Sequence, residues 1–442
     1  MRIRLSDHFT YKKLLLFTLP SIMMMIFTSI YGVVDGFFVS NFAGKNAFAA
    51  VNFIIPFLSI WGGLGFMFGA GGSALIGKTL GEGDHEKANR IFSLITYVSL
   101  ILGGILAVFC FIFLEPIAVS IGATPEILED CLLYGRIIAL TLPAYILQNE
   151  FQAFSIAAEK PQFGLIVSLI TGCGNILLDA LCVGILGWGI AGAAIATAIS
   201  QFAGGIVFLI YFFRPNDSLL HLSKTTMDNK ALIKTVSNGV SELVNNVSMC
   251  VVSMLYNLQL IRYAGEDGVA AYGVLMYVSF IFYAIFIGFT AGSSPIISYH
   301  FGAQNHTELK NLRKKIIRLI AIFSVLMLFG GELLAQPFSY LYVGYDADLF
   351  TLTCRGFYIF SFSFLFGGMA VLGSAFFTAL NDGMTSAIIS FLRTMVFQIG
   401  AVLLLPLWFG IDGIWFSLVL AEIAAFFLTI FYIVIKRKKY HY

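Results

Sequence analysis

Residues 70–81 read AGGSALIGKTLG and residues 291–302 read AGSSPIISYHFG, so Ala70, Gly71, Ser73, Ile76 and Gly81 return as Ala291, Gly292, Ser294, Ile297 and Gly302. The spacing is 221 positions, half of the 442 residues. The register holds outward from this stretch without a gap. Gly44, Ala49 and Ala50 fall on Gly265, Ala270 and Ala271, His85 falls on His306, and Pro116 falls on Pro337. Gly189, Ile190 and Gly192 meet Gly410, Ile411 and Gly413. Matches that include turn residues and span the whole half mark a duplicated unit. In an apolar chain such a duplication points to a transporter, whose two copies can rock about a shared site.

The composition agrees. Apolar residues make up 59% of the chain and charged residues 11%, with a mean hydropathy of +0.90; soluble domains carry about 25% charged residues. A net charge of +2 leaves no footprint for nucleic acid. The six cysteines, at 110, 131, 173, 182, 250 and 354, are scattered with no C-x-x-C, which argues against a disulfide framework or a metal site. The apolar stretch from Leu14 to Val39 is too long for a signal-peptide core and reads as a first membrane helix.

A crossing helix needs about 20 mainly apolar residues. Runs between polar breaks give twelve: roughly 13–40, 48–78, 91–114, 132–157, 163–186, 190–213, 234–262, 269–300, 316–335, 353–379, 384–408 and 412–435. The expected fold is an all-α integral membrane protein with two parallel-repeat six-helix bundles. An even number of crossings per half inserts both the same way up, with a pseudo-twofold axis along the membrane normal. The organisation expected is an N-terminal lobe at 1–213, a polar cytoplasmic linker at 214–233 and a C-terminal lobe at 234–442. With both termini inside, the inner segments hold 21 of the 26 Lys and Arg: Arg2, Arg4, Lys12, Lys13, Lys78, Lys87, Arg90, Lys160, Arg214, Lys224, Lys230, Lys234, Lys310, Arg313, Lys314, Lys315, Arg318 and Lys436 to Lys439. Outer loops hold Lys45, Arg136, Arg262 and Arg355. That imbalance sets the expected topology, with both termini cytoplasmic.

Charged residues at membrane depth cost at least about 2.5–3.5 kcal/mol each and call for a reason. The candidates are Asp35, Glu150, Asp179, Glu242, Arg393 and Glu422. Asp35 lies about 9 Å in from the outer end of its helix, and Asp179 and Thr197 lie about 12 Å in. Tyr31 precedes Asp35 by four residues and Asn175 precedes Asp179 by four, so each pair shares a helix face. Carboxylates beside an amide, a phenol and a hydroxyl can hold a proton or coordinate Na+ through oxygen, with Asp35, Asn175, Asp179 and Thr197 as the Na+ donors. Arg393 and Glu422 come out near the midplane and can form a neutralising ion pair. Glu242 follows Asn238-Gly239-Val240-Ser241 on helix 7, about 12 Å inside by helical rise. Glu150, with Gln148, Asn149 and Gln152, is read as a polar face lining water or helix contacts. Glu150, Gln152 and Glu242 are therefore candidates for polar cavity residues.

With the 6+6 repeat, Pro20…Tyr31-x-x-x-Asp35 on helix 1 and Asn175-x-x-x-Asp179 on helix 5, the chain resembles the multidrug and toxic compound extrusion (MATE) family, closest to its MepA-like bacterial branch. Gly71-Gly72-Ser73-Ala74, Gly192-Ala193-Ala194-Ile195-Ala196-Thr197 and Gly410-Ile411-Asp412-Gly413-Ile414-Trp415 belong to the same likeness, which covers nearly the whole chain. The resemblance implies two lobes in a V and an exporter of amphipathic, often cationic, compounds driven by inward H+ or Na+ flow. It implies coupling at Tyr31, Asp35, Asn175, Asp179 and Thr197, with Gln152 as a helix-4 contributor. Another branch carries C-lobe acids on helices 7 and 10. Glu242 answers the first, but helix 10 has no interior acid, only Asp382 just past its end.

A lipid-linked oligosaccharide flippase is the nearest rival. Its anionic cargo wants a cationic cavity, and here the buried charges are mostly acidic. A membrane enzyme would need a His, Ser or metal constellation at depth, yet histidines 8, 85, 221, 300, 306 and 441 fall in loops, tails or helix ends. The expectation is a monomeric transporter of small amphipathic molecules in the lipid bilayer, without cofactor, catalytic residues, resident metal or nucleic-acid partner.

Overall fold

The computed structural model describes residues 3–442; Arg2 lies outside them, as do the side chains of Val33 and Lys45. The first bundle contains α1 (Tyr11–Phe38), α2 (Lys45–Gly81), α3 (His85–Ser120), α4 (Pro125–Ala157), α5 (Pro161–Asp179) and α6 (Gly189–Phe213). The second contains α7 (Asn229–Gly302), α8 (His306–Val343), α9 (Ala347–Phe360), α10 (Phe362–Ala379), α11 (Gly383–Phe391), α12 (Ile399–Leu404) and α13 (Pro406–Tyr440). Among the described residues there is no strand.

The 74 residues of α7 are two crossings, because Gly265 at φ 63° breaks the helix. Helices α9 and α10 form one crossing divided at Ser361, and α11 and α12 form another, joined by a π-type segment at Leu392–Gln398. The result is an all-α membrane protein with twelve crossings, six in each bundle.

The repeat has local causes that can be read residue by residue. Gly44 (φ 96°) and its mate Gly265 (φ 63°) turn the chain between the first two crossings of each bundle. Gly189 (φ 54°) and its mate Gly410 (φ 57°) do the same before the last crossing. A side chain would clash with the backbone at such positive φ, so glycine recurs there. Asp84 caps α3 by accepting from the Lys87 N–H, and Asn305, 221 positions later, caps α8 by accepting from the Glu308 N–H.

Two expectations need correction. Helices run past the lipid-facing stretch where capping and polar contacts continue them, so α3 reaches from His85 to Ser120 instead of 91–114. For the same reason Arg136, Arg262 and Arg355 stand on α4, α7 and α9, not in loops. The linker is non-helical only as far as Asp228, where the side chain caps α7. It lies along α3: the His221 N–H donates to Asn89 Oδ1 at 2.8 Å, the Ser223 N–H donates to Ser93 Oγ at 2.8 Å, and Leu220 is fully buried.

The bundles meet through small residues on the half of the molecule nearer the termini. A Cβ on Gly71 would collide with the Thr235 carbonyl, and one on Gly239 with the Met67 carbonyl. Gly81 and its mate Gly302 face the backbones of Tyr299 and Lys78. Higher up, the contacts loosen to Cys250 Sγ on the Pro56 carbonyl (3.8 Å) and Ser29 Oγ on the Phe280 carbonyl (3.5 Å). Asn381 ties the seam by donating Nδ2–H to the Ala74 carbonyl at 3.1 Å.

Candidate functional site

Both helices carrying the paired aspartates start on the terminal face and place their acids toward the opposite face. Asp179 is the last α-helical residue of α5, and a π-type segment, Ala180–Ile185, follows it directly. Asp35 lies near the end of α1, and a π-type segment at Val39–Ala43 begins where the Val39 N–H reaches back to the Asp35 and Gly36 carbonyls. Such segments widen a helix by one residue per turn and free backbone groups, and they recur at functional positions.

The structure brings Asp35 and Asp179 together. Their carboxyls lie within reach of a shared proton. Asp179 is fully buried while Asp35 keeps a partly exposed edge. Asp35 Oδ1 and both oxygens of Asp179 are buried with no well-formed hydrogen bond among the described residues. Unpaired buried acids are costly, so the pair calls for a physical reason.

Asn175 is buried one turn below Asp179, and Tyr31 lies within electrostatic reach of Asp35. Gly172 lets α5 approach α1 closely here, since its Cβ would lie 3.3 Å from the Tyr31 ring. Two residues missed in the sequence complete the wall, both on α4. Tyr134 is buried, reaches Thr197 on α6, and lies within electrostatic reach of both aspartates. Tyr145 neighbours Tyr31, and Gly62 on α2 makes room for its ring. Nothing in the sequence separates these two from the other 17 tyrosines, because only proximity in space selects them. All donors are oxygens on carboxylate, amide, phenol and hydroxyl groups, a set suited to a proton or a hard monovalent cation.

The polar run on α4 is not one face. Successive residues sit about 100° apart, and each of the four meets a different neighbour. Gln148 packs on Gly204 of α6, and Asn149 on Gly65 of α2. Glu150 is fully buried and turned toward α3, where Thr96 Oγ1 donates to it at 3.2 Å. Gln152 alone points at α5, donating to Ser168 Oγ at 3.4 Å. Glu150 is therefore an interhelical contact, and it stands apart from the aspartate pair.

In the second bundle Arg393 grips Glu422. Nε donates to both carboxylate oxygens at 3.1 Å and Nη2 donates to Oε1 at 2.7 Å. The Tyr283 hydroxyl donates to the same carboxylate at 3.2 Å. Glu242 on α7 lies within electrostatic reach of Arg393 and beside Asn245.

Two duplicated six-helix bundles, with unpaired acids held at membrane depth, define a membrane transporter. The MatE family profile matches residues 20–181 and again 243–403, once in each bundle, and the chain belongs to that family. It is 30% identical over 426 residues to the multidrug export protein MepA of Staphylococcus haemolyticus (strain JCSC1435), covering 95% of this chain and 92% of that one. It is 26% identical to the MepA of Staphylococcus aureus (strain MRSA252), covering 93% and 91%. Among solved structures, an outward-facing multidrug resistance MATE family transporter of the MOP superfamily superposes with a TM-score of 0.92 at 20% identity, over 98% of this chain and 97% of that one. That last likeness is one of fold.

Proposed function

We propose that the chain is a secondary active multidrug exporter that antiports amphipathic organic compounds, often cationic, against H+ or Na+. Its lobes are 1–213 and 234–442, joined by the 214–233 linker. It works as a monomer in the bacterial cytoplasmic membrane with both termini on the cytoplasmic side, the side that gathers most of the Lys and Arg. It needs no cofactor, nucleic acid or resident metal and is not an enzyme; the coupling ion is a substrate.

One observation carries the reading: Asp35 at an accessible edge faces the fully buried Asp179, and one oxygen of the first and both oxygens of the second lack a well-formed hydrogen bond. Tyr31, Asn175 and Thr197 line the same place. A bound cation drives transport only if the two facings of the protein hold it with different affinity. The acids therefore exchange their ion as the lobes rock about the glycine seam. A flippase for an anionic cargo fits less well, since Arg393 stands against five acids at membrane depth: Asp35, Glu150, Asp179, Glu242 and Glu422.

The test is efflux of an organic-cation dye from cells expressing the chain, with the pH and sodium gradients collapsed separately, for wild type, Asp35→Asn and Asp179→Asn. Loss of gradient-driven efflux in both variants supports the mechanism. Efflux by Asp179→Asn at the wild-type rate sinks it.

A further inference from the structure

The charges of the second bundle stand in an order, and the order suggests a ligand. Glu422 lies deepest, with 3% of its side chain exposed, and Arg393 lies in front of it with 15%. Glu242 is partly exposed and within electrostatic reach of the guanidinium, yet no hydrogen bond among the described residues joins the two. Arg393 uses Nε and Nη2 on Glu422, and Nη1 takes part in none of those bonds. Tyr283 lies beneath the guanidinium, 6.0 Å from its ring centroid.

Position adds a second reason. Glu242 shares its helix face with Gly239 and Asn246, three and four residues away. Both of those touch the first bundle: a Cβ on Gly239 would strike the Met67 carbonyl, and Asn246 Cβ lies 3.3 Å from where Gly63 would carry one. Glu242 therefore borders the seam between bundles. Arg393 also sits in the π-type segment Leu392–Gln398. The other two such segments among the described residues follow Asp35 and Asp179, so the same local device marks all three positions.

A purely cationic molecule entering here is attracted by Glu242 and repelled by Arg393, and a purely anionic one meets the reverse. A molecule with both charges satisfies both groups. Resting on the exporter reading above, we infer that Arg393 and Glu242 form a cargo subsite for zwitterionic amphiphiles, with the cargo carboxylate on the free edge of Arg393 and its positive end on Glu242. Glu422 positions Arg393 and competes for it.

The experiment measures equilibrium binding to the full-length chain in detergent, with no gradient, by fluorescence polarisation. The probes are one rhodamine bearing a free carboxylate, a zwitterion, and its ethyl ester, a cation. Arg393→Gln should weaken the acid by about tenfold or more, the scale of a lost charge-assisted pair, and leave the ester within about twofold. Glu422→Gln frees the guanidinium and should tighten the acid several-fold, a gain that damage to the fold would not produce. Glu242→Gln should weaken both dyes. Equal weakening of acid and ester by Arg393→Gln overturns the subsite, as does no change in either. Wild type that exports both dyes but binds the acid no better than Arg393→Gln does sinks the subsite alone. Wild type that exports neither sinks the exporter reading beneath it.

Discussion

The two bundles share a backbone plan and differ at the positions that carry charge. Asp35, Asn175, Asp179 and Thr197 of the first bundle correspond, 221 residues on, to Tyr256, Val396, Gly400 and Leu418. Conversely, Glu242, Arg393 and Glu422 of the second correspond to Ser21, Gly172 and Gln201. Where the first bundle leaves Asp35 Oδ1 and both Asp179 oxygens unpaired, the second has a closed contact at the counterpart of Asp35. Tyr256 is 1% exposed, stacks on Tyr272 at 5.0 Å and shares a 2.6 Å hydrogen bond with Ser417. Of the second bundle's own charges, Arg393 and Glu422 are bonded to each other, while Glu242 stands beside them without a hydrogen bond to the guanidinium among the described residues. Duplication supplied a symmetric frame, and the chemistry then separated: two acids with unpaired oxygens on one side, an arginine–glutamate pair on the other.

The largest expected effect tests that separation. Asp179→Asn should cut gradient-driven dye efflux by about a hundredfold, the upper range of a coupling free energy between sites. The mirror change Tyr256→Phe, at Asp35's counterpart, should leave efflux within about twofold. Equal losses from both would mean that the two bundles share the work, and the contrast between them would fail.

A second test turns on the ion pair. Arg393→Met alone strands Glu422 in a buried place and should cost about 3–5 kcal/mol, whereas the double change to Met at Arg393 and Glu422 should be close to neutral or stabilising. Thermal unfolding in detergent, single against double, reads the difference. A double variant as damaged as the single would mean that packing, not charge, holds these helices.

Much of this was legible in the sequence because it is periodic or positional. Apolar runs gave the twelve crossings and left gaps at 263–268 and 409–411, where the structure turns the chain at Gly265 and Gly410. Helical rise put Asp35 and Asp179 at one depth, and four-residue spacing attached Tyr31 and Asn175. What stayed hidden depends on rotation between helices. Residues 148, 149, 150 and 152 of α4 looked like one polar surface, but the central helix of the bundle has neighbours all round it, so each points elsewhere. Tyr134 and Tyr145 join the site only because α4 packs beside α1 and α6, which no local pattern encodes. Hydropathy also cuts helices short, since it measures the lipid boundary and not where hydrogen bonding ends.

A third test concerns the seam, where the symmetry is close but unequal. A Cβ on Gly71 would run into the Thr235 carbonyl, while on its mate Gly292 it would lie 3.0 Å from Thr18, at Cα and the side chain. Overpacking costs about 1–3 kcal/mol, and backbone yields less readily than a threonine methyl. Gly71→Ala should therefore open the terminal side more than Gly292→Ala does. Spin-label distances between the bundles on that side, in lipid, would read the shift. The reverse order would show that the two halves of the seam are not loaded as their contacts suggest.

The smallest effect is expected where the bundles are most alike. Gly265 and Gly410 both have positive φ, and at neither does any heavy atom lie within 4 Å of the place a Cβ would take. Alanine there meets no neighbour, so only the local backbone resists it. Each substitution should cost about 1–3 kcal/mol by that conformational penalty alone, and the mates Gly44 and Gly189, equally open, should behave alike. Efflux should persist in all four, with a modest and similar drop in thermal stability. If Gly265→Ala costs far more than Gly44→Ala, the break in α7 is under strain that its first-bundle counterpart lacks, and the two frames are less equivalent than their shared turns imply.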